Sequence, residues 1–363
     1  ILSASRSHSL LGANSIPLGT EQYPFKGDFD GNGKALTVSI RDRATSMNGV
    51  FGYTDGATIH DVEVLGDVSR VGSDSGMLVG IAKNTTIVNC SCGGTFSTVP
   101  DAARCGGIVG SALGSTRIEG CRTTGSINQL GNQCGGIVGY ATGSVQIIDC
   151  VNTKNVALCG SDCGGIVGKT GGGVTITKCV NYGDFQSAGE NCGGIVGLAD
   201  GSPRITDCRN YGTISVSKAI NNVGGVVGAM HGFGRIERCV NEGTLYIYSG
   251  SGRIGGIVGI CDYRDENTGS HEIQIVNCTN YGDIINSARS AHDVGGIVGY
   301  STGTLVACVN NGDMSGDSSV GGLIGYEYFR PMSTRENNTQ VLYFKNAVAT
   351  FSSFTAPPEV VRF

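Results

Sequence analysis

A five-residue pattern occurs eight times in this chain: two glycines, two aliphatic residues, then a third glycine. The copies begin at Gly106, Gly135, Gly164, Gly193, Gly224, Gly255, Gly295 and Gly321. Two weaker copies precede them, Gly76-Met-Leu-Val-Gly80 and the shorter Gly49-Val-Phe-Gly52. The closing glycines are spaced by 28, 30, 29, 29, 29, 31, 31, 40 and 26 residues. A period held in this range is the signature of a solenoid, in which each repeat packs only on its neighbours. A chain of 363 residues would otherwise divide into two or three globular domains.

One repeat shows what the period contains. Cys105-Gly-Gly-Ile-Val-Gly110 is a short apolar run of strand type, followed by a polar turn over residues 111–115. Cys121, Thr123, Gly125 and Ile127 then alternate with period two and share one face of an extended chain. Ile118 is out of phase with Cys121, which implies a bulge or corner between them. Alternation cannot point both Ile108 and Val109 inward, so a bulge lies there or the outer side chain packs on something. No segment keeps a 3.6-residue apolar period. Three strands and three turns fit about 29 residues, which predicts an all-β, three-sided parallel β-solenoid of about ten coils. A right-handed course is expected. Ten coils at ~4.8 Å make a rod of about 50 Å.

Composition follows the repeat. The 61 glycines fall at fixed positions, so the chain is not a flexible low-complexity segment. Fifteen cysteines suggest a disulfide scaffold, but their placement argues otherwise. Eight share one register, among them Cys121, Cys150, Cys179 and Cys208. Four share a second, Cys105, Cys134, Cys163 and Cys192, where later repeats carry Val223, Ile254, Val294 and Val320. A position that exchanges Cys for Val or Ile behaves as a small buried hydrophobe, so stacked free thiols are expected, with disulfides between coils as the alternative. Cys159/Cys163 and Cys90/Cys92 are lone pairs without ligand-spaced partners, so no metal or cofactor is expected. Two residues after the first cysteine register stands an asparagine in six coils, including Asn152, Asn181, Asn210 and Asn241. Stacked at a corner, these amides can bond along the stack and tolerate a left-handed backbone.

A net charge of −5 without a basic stripe argues against nucleic acid. No apolar run approaches the ~18 residues of a membrane span. Residues 1–48 are read as an N-terminal cap and leading strand, 49–345 as the repeats, and 346–363 as a C-terminal cap or exit segment. Asp28-x-Asp30-x-Asn32-Gly33 opens like a calcium loop, but the twelfth position is Ser39 rather than Glu, so a tight turn before the first strand is expected. Tyr182 and Tyr211 occupy one place in neighbouring coils, and Tyr281 returns two coils later. They either cover the corner or form a platform for a sugar ring. The 40-residue step carries two inserted polar loops, which hold Tyr263, Arg264, Asp265 and His271, then Arg289 and His292. Insertions in solenoids map to loops, often on the binding face. Asp149 and Asp207 are matched in position, with Lys178 between them, which reads as a solvated charge row rather than a catalytic pair.

The repeat resembles the GLUG-motif repeats of bacterial cell-surface and secreted proteins. Gly193-Gly-Ile-Val-Gly197 followed by Ile205-Thr-Asp-Cys-Arg-Asn-Tyr-Gly-Thr-Ile214 carries the likeness, together with Phe25-Lys-Gly-Asp-Phe-Asp-Gly-Asn-Gly33. The resemblance spans residues 22 to 345. It implies an extracellular or surface-exposed module of a longer multidomain chain, with a glycan or a host surface protein as partner. Such repeats also flank the protease domain of some immunoglobulin A peptidases, but no His-Glu-x-x-His occurs here. The expectation is therefore a non-catalytic, adhesin-like stalk or binding scaffold. The alternative is a carbohydrate-active β-helix enzyme, which would need a groove lined by two or more carboxylates, where a stalk would show even flanks.

Overall fold

The computed structural model describes residues 16–128, 131–187, 189–217, 222–248, 252–262, 273–287, 292–315 and 320–327, with the backbone of Leu2–Ser3 and His8–Ser9. These residues form an all-β parallel solenoid. Its coils stack in three sheets whose strand pairings are all parallel, and no helix is present among the described residues.

The coil through Cys105 shows the path. The strand Ala103–Gly106 belongs to a nine-stranded sheet, and Val109–Gly114 to a ten-stranded one. Three short strands, Arg117–Glu119, Arg122–Thr123 and Ser126–Asn128, then lie in the broad third sheet. Asn132–Gly135 returns to the first sheet one coil further on. The glycine-rich pentapeptide is therefore not one strand, as its sequence suggests, but a corner between two sheets. Turning at Gly107-Ile108 lets Ile108 and Val109 both face the core, each fully buried. The corner also explains the glycines. A Cβ on Gly165 would land on the Gly194 carbonyl and the Asn181 side-chain amide, closer than real Cβ atoms come.

The predicted break between Ile118 and Cys121 is a left-handed residue. Asn89, Gly120, Asp149, Lys178, Asp207, Arg238, Asn277 and Ala307 hold this place in successive coils with φ between 51° and 62°. One such residue shifts the alternation by one, so Ile118 and Cys121 both point inward. The side chain of the left-handed residue itself turns to solvent. At this site the energetic cost of the conformation is lowest for Asn, Asp and Gly, which hold five of the eight places.

Stacking in register brings like on like. Ile87, Ile118, Ile147, Ile176, Ile205, Ile236 and Ile275 form one buried row. Each fully buried aliphatic side chain contributes roughly 1.5–3 kcal/mol. The second cysteine register continues through Cys192, Val223, Ile254 and Val294 as paired neighbours. All fourteen described cysteines are buried free thiols. The Cys150 Sγ donates to the Ile118 carbonyl at 3.7 Å and the Cys179 Sγ to the Ile147 carbonyl at 3.6 Å. Burial pushes the thiols of Cys92, Cys208 and Cys239 above their ordinary range. Cys261, outside both registers, pairs with Met230 and Ser301 in an inner row of the ten-stranded sheet.

The asparagine row is a ladder. Each Nδ2 donates to the next Oδ1: Asn152 to Asn181 at 2.8 Å, Asn181 to Asn210 at 2.8 Å, and Asn210 to Asn241 at 2.9 Å. Asn241 to Asn280 and Asn280 to Asn310 continue it at 2.8 Å. These residues end short strands and point inward, and none has a positive φ. The left-handed residue expected at the asparagine lies instead three positions earlier in each coil. Likewise Asp28-x-Asp30-x-Asn32-Gly33 lies inside the strand Asp28–Arg41, where left-handed Asn32 and Gly33 form a bulge opposite Asp61-Val62. The 40-residue step leaves the register intact. Ile260 still pairs with Tyr300, and Ile236 with Ile275.

Candidate functional site

The structure brings Tyr182 and Tyr211 face to face, with ring centroids 4.9 Å apart and 3° between planes. Arg209 lies 5.8 Å from the Tyr211 centroid and is bound to Glu242 at 2.8 Å. Glu242 separates the pair from Tyr281, so the three rings do not form one platform. All three rings are exposed. His292 is exposed, beside the strand Val294–Gly295. Tyr263, Arg264, Asp265, His271 and Arg289 lie outside the described residues.

The matched acidic positions are a charge row at the left-handed corner. Asp149, Lys178, Asp207 and Arg238 follow one another, and Arg238 clamps Asp207 through two bonds of 2.7 and 2.9 Å. That clamp holds the Asp207 carboxyl below its usual pKa. A second cluster joins the first coils. The His60 Nδ1 is 2.8 Å from Asp61 Oδ2 and 3.7 Å from Asp30 Oδ1, and its Nε2 is 3.3 Å from Asp28 Oδ1. Asp30, His60 and Asp61 are the described residues whose ligand atoms come close enough to hold a metal ion, within 4.8 Å of one another.

A groove lies elsewhere, on the flank between the nine- and ten-stranded sheets. A groove of about 660 Å³ continues into one of about 380 Å³, and the two share Glu190, Asn191 and His231. Its floor is the outward row of the ten-stranded sheet, where Lys169, Leu198, Ala229, Ile260 and Tyr300 are successive partners. Leu198, Ala229 and Ile260 form a small apolar cluster there, separate from the main core. One wall comes from the residue that precedes the second cysteine register. Asp162 and Asn191 take left-handed φ at this corner, which throws their side chains out of the core. Asn222 and Arg253 hold the same place in the next coils. Asp200, His231 and Asp262, at the far end of the floor strands, make the opposite wall.

The first wall is a short hydrogen-bonded chain. Asn222 Nδ2 donates to Asn191 Oδ1 at 2.7 Å, and Asn191 Nδ2 donates to Asp162 Oδ1 at 2.7 Å. Burial pushes the Asp162 carboxyl above its ordinary pKa, opposed by the bond from Asn191. Across the groove Asp200 faces Lys169 at 3.2 Å and His231 at 3.7 Å. Arg253 lies 5.0 Å over the Tyr300 ring, whose neighbour Tyr326 stacks at 5.5 Å. The groove thus offers carboxylates in unequal settings, a row of amides and an apolar floor. Sequence reasoning missed it because its residues differ from coil to coil. The signal was positional: the residue before each Cys, Val or Ile that opens the pentapeptide, and the residue after each closing glycine.

No family model matches this chain, and no curated protein matches it. Among solved structures it is similar to a proposed immunoglobulin A1 protease from Bacteroides ovatus, with 18% identity and a TM-score of 0.46. That similarity covers 79% of this chain and 77% of the other. The name corrects one expectation. The sequence points to a non-catalytic module, with a carbohydrate-active enzyme as the alternative, because no catalytic constellation stands out and the repeat resembles surface modules. A protein named as a protease now stands beside this fold, and the expectation of no catalysis is withdrawn. A likeness this distant assigns no activity to this chain.

Proposed function

We propose that this chain is a bacterial extracellular or cell-surface solenoid that binds an extended glycan along its flank groove. The observation that carries the reading is the groove itself, with buried amides on one wall and Leu198 and Ile260 as apolar residues of its floor. Sugar rings present both faces of this chemistry, with hydroxyls for fixed amides and C–H surfaces for an apolar floor. The repeat resemblance to GLUG-type surface proteins supports the setting. A groove several coils long suits a linear chain better than a compact ligand.

Binding is measured by screening the full chain against a glycan array and titrating the hits by calorimetry. Leu198→Glu places a charge on the floor and should weaken binding at least tenfold, while Tyr182→Ala on the far corner should leave it unchanged. If Tyr182→Ala abolishes binding and Leu198→Glu does not, the groove is not the site.

One observation favours a second reading, cleavage of the bound glycan. Asp162 is a half-buried carboxyl with a raised pKa, and Asp200 lies across the groove beside Lys169. Glycoside hydrolysis uses one carboxyl that keeps its proton and one that does not. Release of reducing ends by the wild type, lost in Asp162→Asn with binding retained, would support it. Retained turnover in that variant removes Asp162 from the reading.

A further inference from the structure

The chemistry of the groove points to one class of glycan, and this step rests on the reading of the groove as a glycan site. The wall amides have a direction that Asp162 imposes. Asn191 turns its Nδ2 toward an Asp162 oxygen, which accepts, and its Oδ1 toward Asn222. Asn222 in turn spends its Nδ2 on Asn191. Its Oδ1 is left pointing away from the chain, buried and without a partner among the described residues. Asn222 is only 8% exposed, and it lines the groove. A buried acceptor left unmade costs about 1–3 kcal/mol, so a ligand that supplies a donor there regains that cost.

The rest of the groove has the same bias. Asp162, Glu190, Asp200 and Asp262 line it, against the permanent cations Lys169 and Arg253. Lys169 is 3.2 Å from Asp200, whereas Arg253 Nε is 3.8 Å from Asp293, too far for a hydrogen bond, and is a buried donor without a hydrogen-bond partner among the described residues. The groove therefore carries more carboxylates than permanent cations, with Arg253 beside Asn222 as an unmatched buried donor among the described residues.

We propose that the groove selects a glycan bearing free amino groups, with an ammonium donating to Asn222 Oδ1 in the field of the Glu190 and Asp262 carboxylates. An ammonium carries three donors and no acceptor, and so suits Asn222 Oδ1 and the carboxylates near it. Uronate or sulfated chains meet like charge.

The test is calorimetric titration of the full chain with three linear oligomers: glucosamine, N-acetylglucosamine and galacturonate. The glucosamine oligomer should bind at least tenfold tighter than its N-acetylated counterpart, and the difference should shrink as salt rises from 0.05 to 0.5 M. Glu190→Gln, which keeps the side chain's shape, should reduce the ratio severalfold. Asn222→Ala should do the same, with its fold checked by circular dichroism. Equal or tighter binding of the N-acetylated or uronate oligomer overturns the selectivity and leaves the glycan reading standing. So does a ratio that Glu190→Gln leaves unchanged. No binding by any glycan, on the array or in solution, overturns both.

Discussion

Asn181 Nδ2 donates to Asn210 Oδ1 at 2.8 Å and to the Gly183 carbonyl at 2.9 Å, while Asn181 Oδ1 accepts from the Gly183 amide at 3.2 Å. One buried side chain thus fastens its own coil and joins it to the next. Asn181→Ala should remove all of these bonds together and strand its neighbours in the ladder. The expected cost is roughly 2–3 kcal/mol, from buried polar groups left unpaired. Asn310, half-buried near the end of the described ladder, has no onward asparagine bond among the described residues and should cost less as Ala. Urea denaturation of the two variants compares them. Equal losses would mean that the ladder is not cooperative.

The second glycine of the pentapeptide is set by the same ladder. Gly165→Ala should destabilise by roughly 2–3 kcal/mol, because its Cβ meets a backbone carbonyl and the Asn181 amide, neither of which can withdraw. Gly173→Ala is the control. Its nearest neighbour would be the Gly143 carbonyl at 3.9 Å, an ordinary contact. The melting temperature should fall in the first variant and stay within a degree or two in the second.

The thiols make a chemical prediction. Buried throughout, and with burial raising the pKa of Cys92, Cys208 and Cys239, they should resist an aqueous thiol reagent in the native state and react fully once the chain is unfolded without reductant. Cys163→Val should be tolerated within about 1 kcal/mol, since Val occupies the same row at Val223 and Val294. Titration of fewer than half the thiols in denaturant would show disulfides instead.

Acid should loosen the outer corner at one place. Arg238 lowers the Asp207 pKa in the folded chain, so the pair's contribution is present above the unfolded carboxylate value of ~3.9 and is lost as pH falls through the lower folded value. Both side chains reach solvent, so the contribution is small and weakens with salt. The stability difference between wild type and Arg238→Ala should therefore be positive at pH 6, shrink toward zero below pH 3, and narrow in 0.5 M salt. A difference that grows as pH falls reverses the assignment.

Much of the solenoid was legible because stacking repeats its demands. Cys121, Ile118 and Asn152 recur in register, so every coil reports the same constraint. The corner at Gly107-Ile108 was not, because one run of small and branched residues satisfies both a strand and a turn between strands. The groove was least legible. Asp162, Asn191, Asn222 and Arg253 share a place but not a residue type, and only the aligned coils show that they form one wall. Function in a repeat protein is written where the repeat varies, which is where periodicity stops helping.

The long ladder passes its amide hydrogens from Asn152 toward Asn310, and the short one from Asn222 back toward Asp162. The rod therefore carries two lines of aligned dipoles with opposite senses, one sealed in the core and one open on the flank. Its two ends are electrically unlike, and so are the two directions along its groove. A linear ligand with its own head and tail, as every oligosaccharide has, meets a track that distinguishes them before any single contact is made.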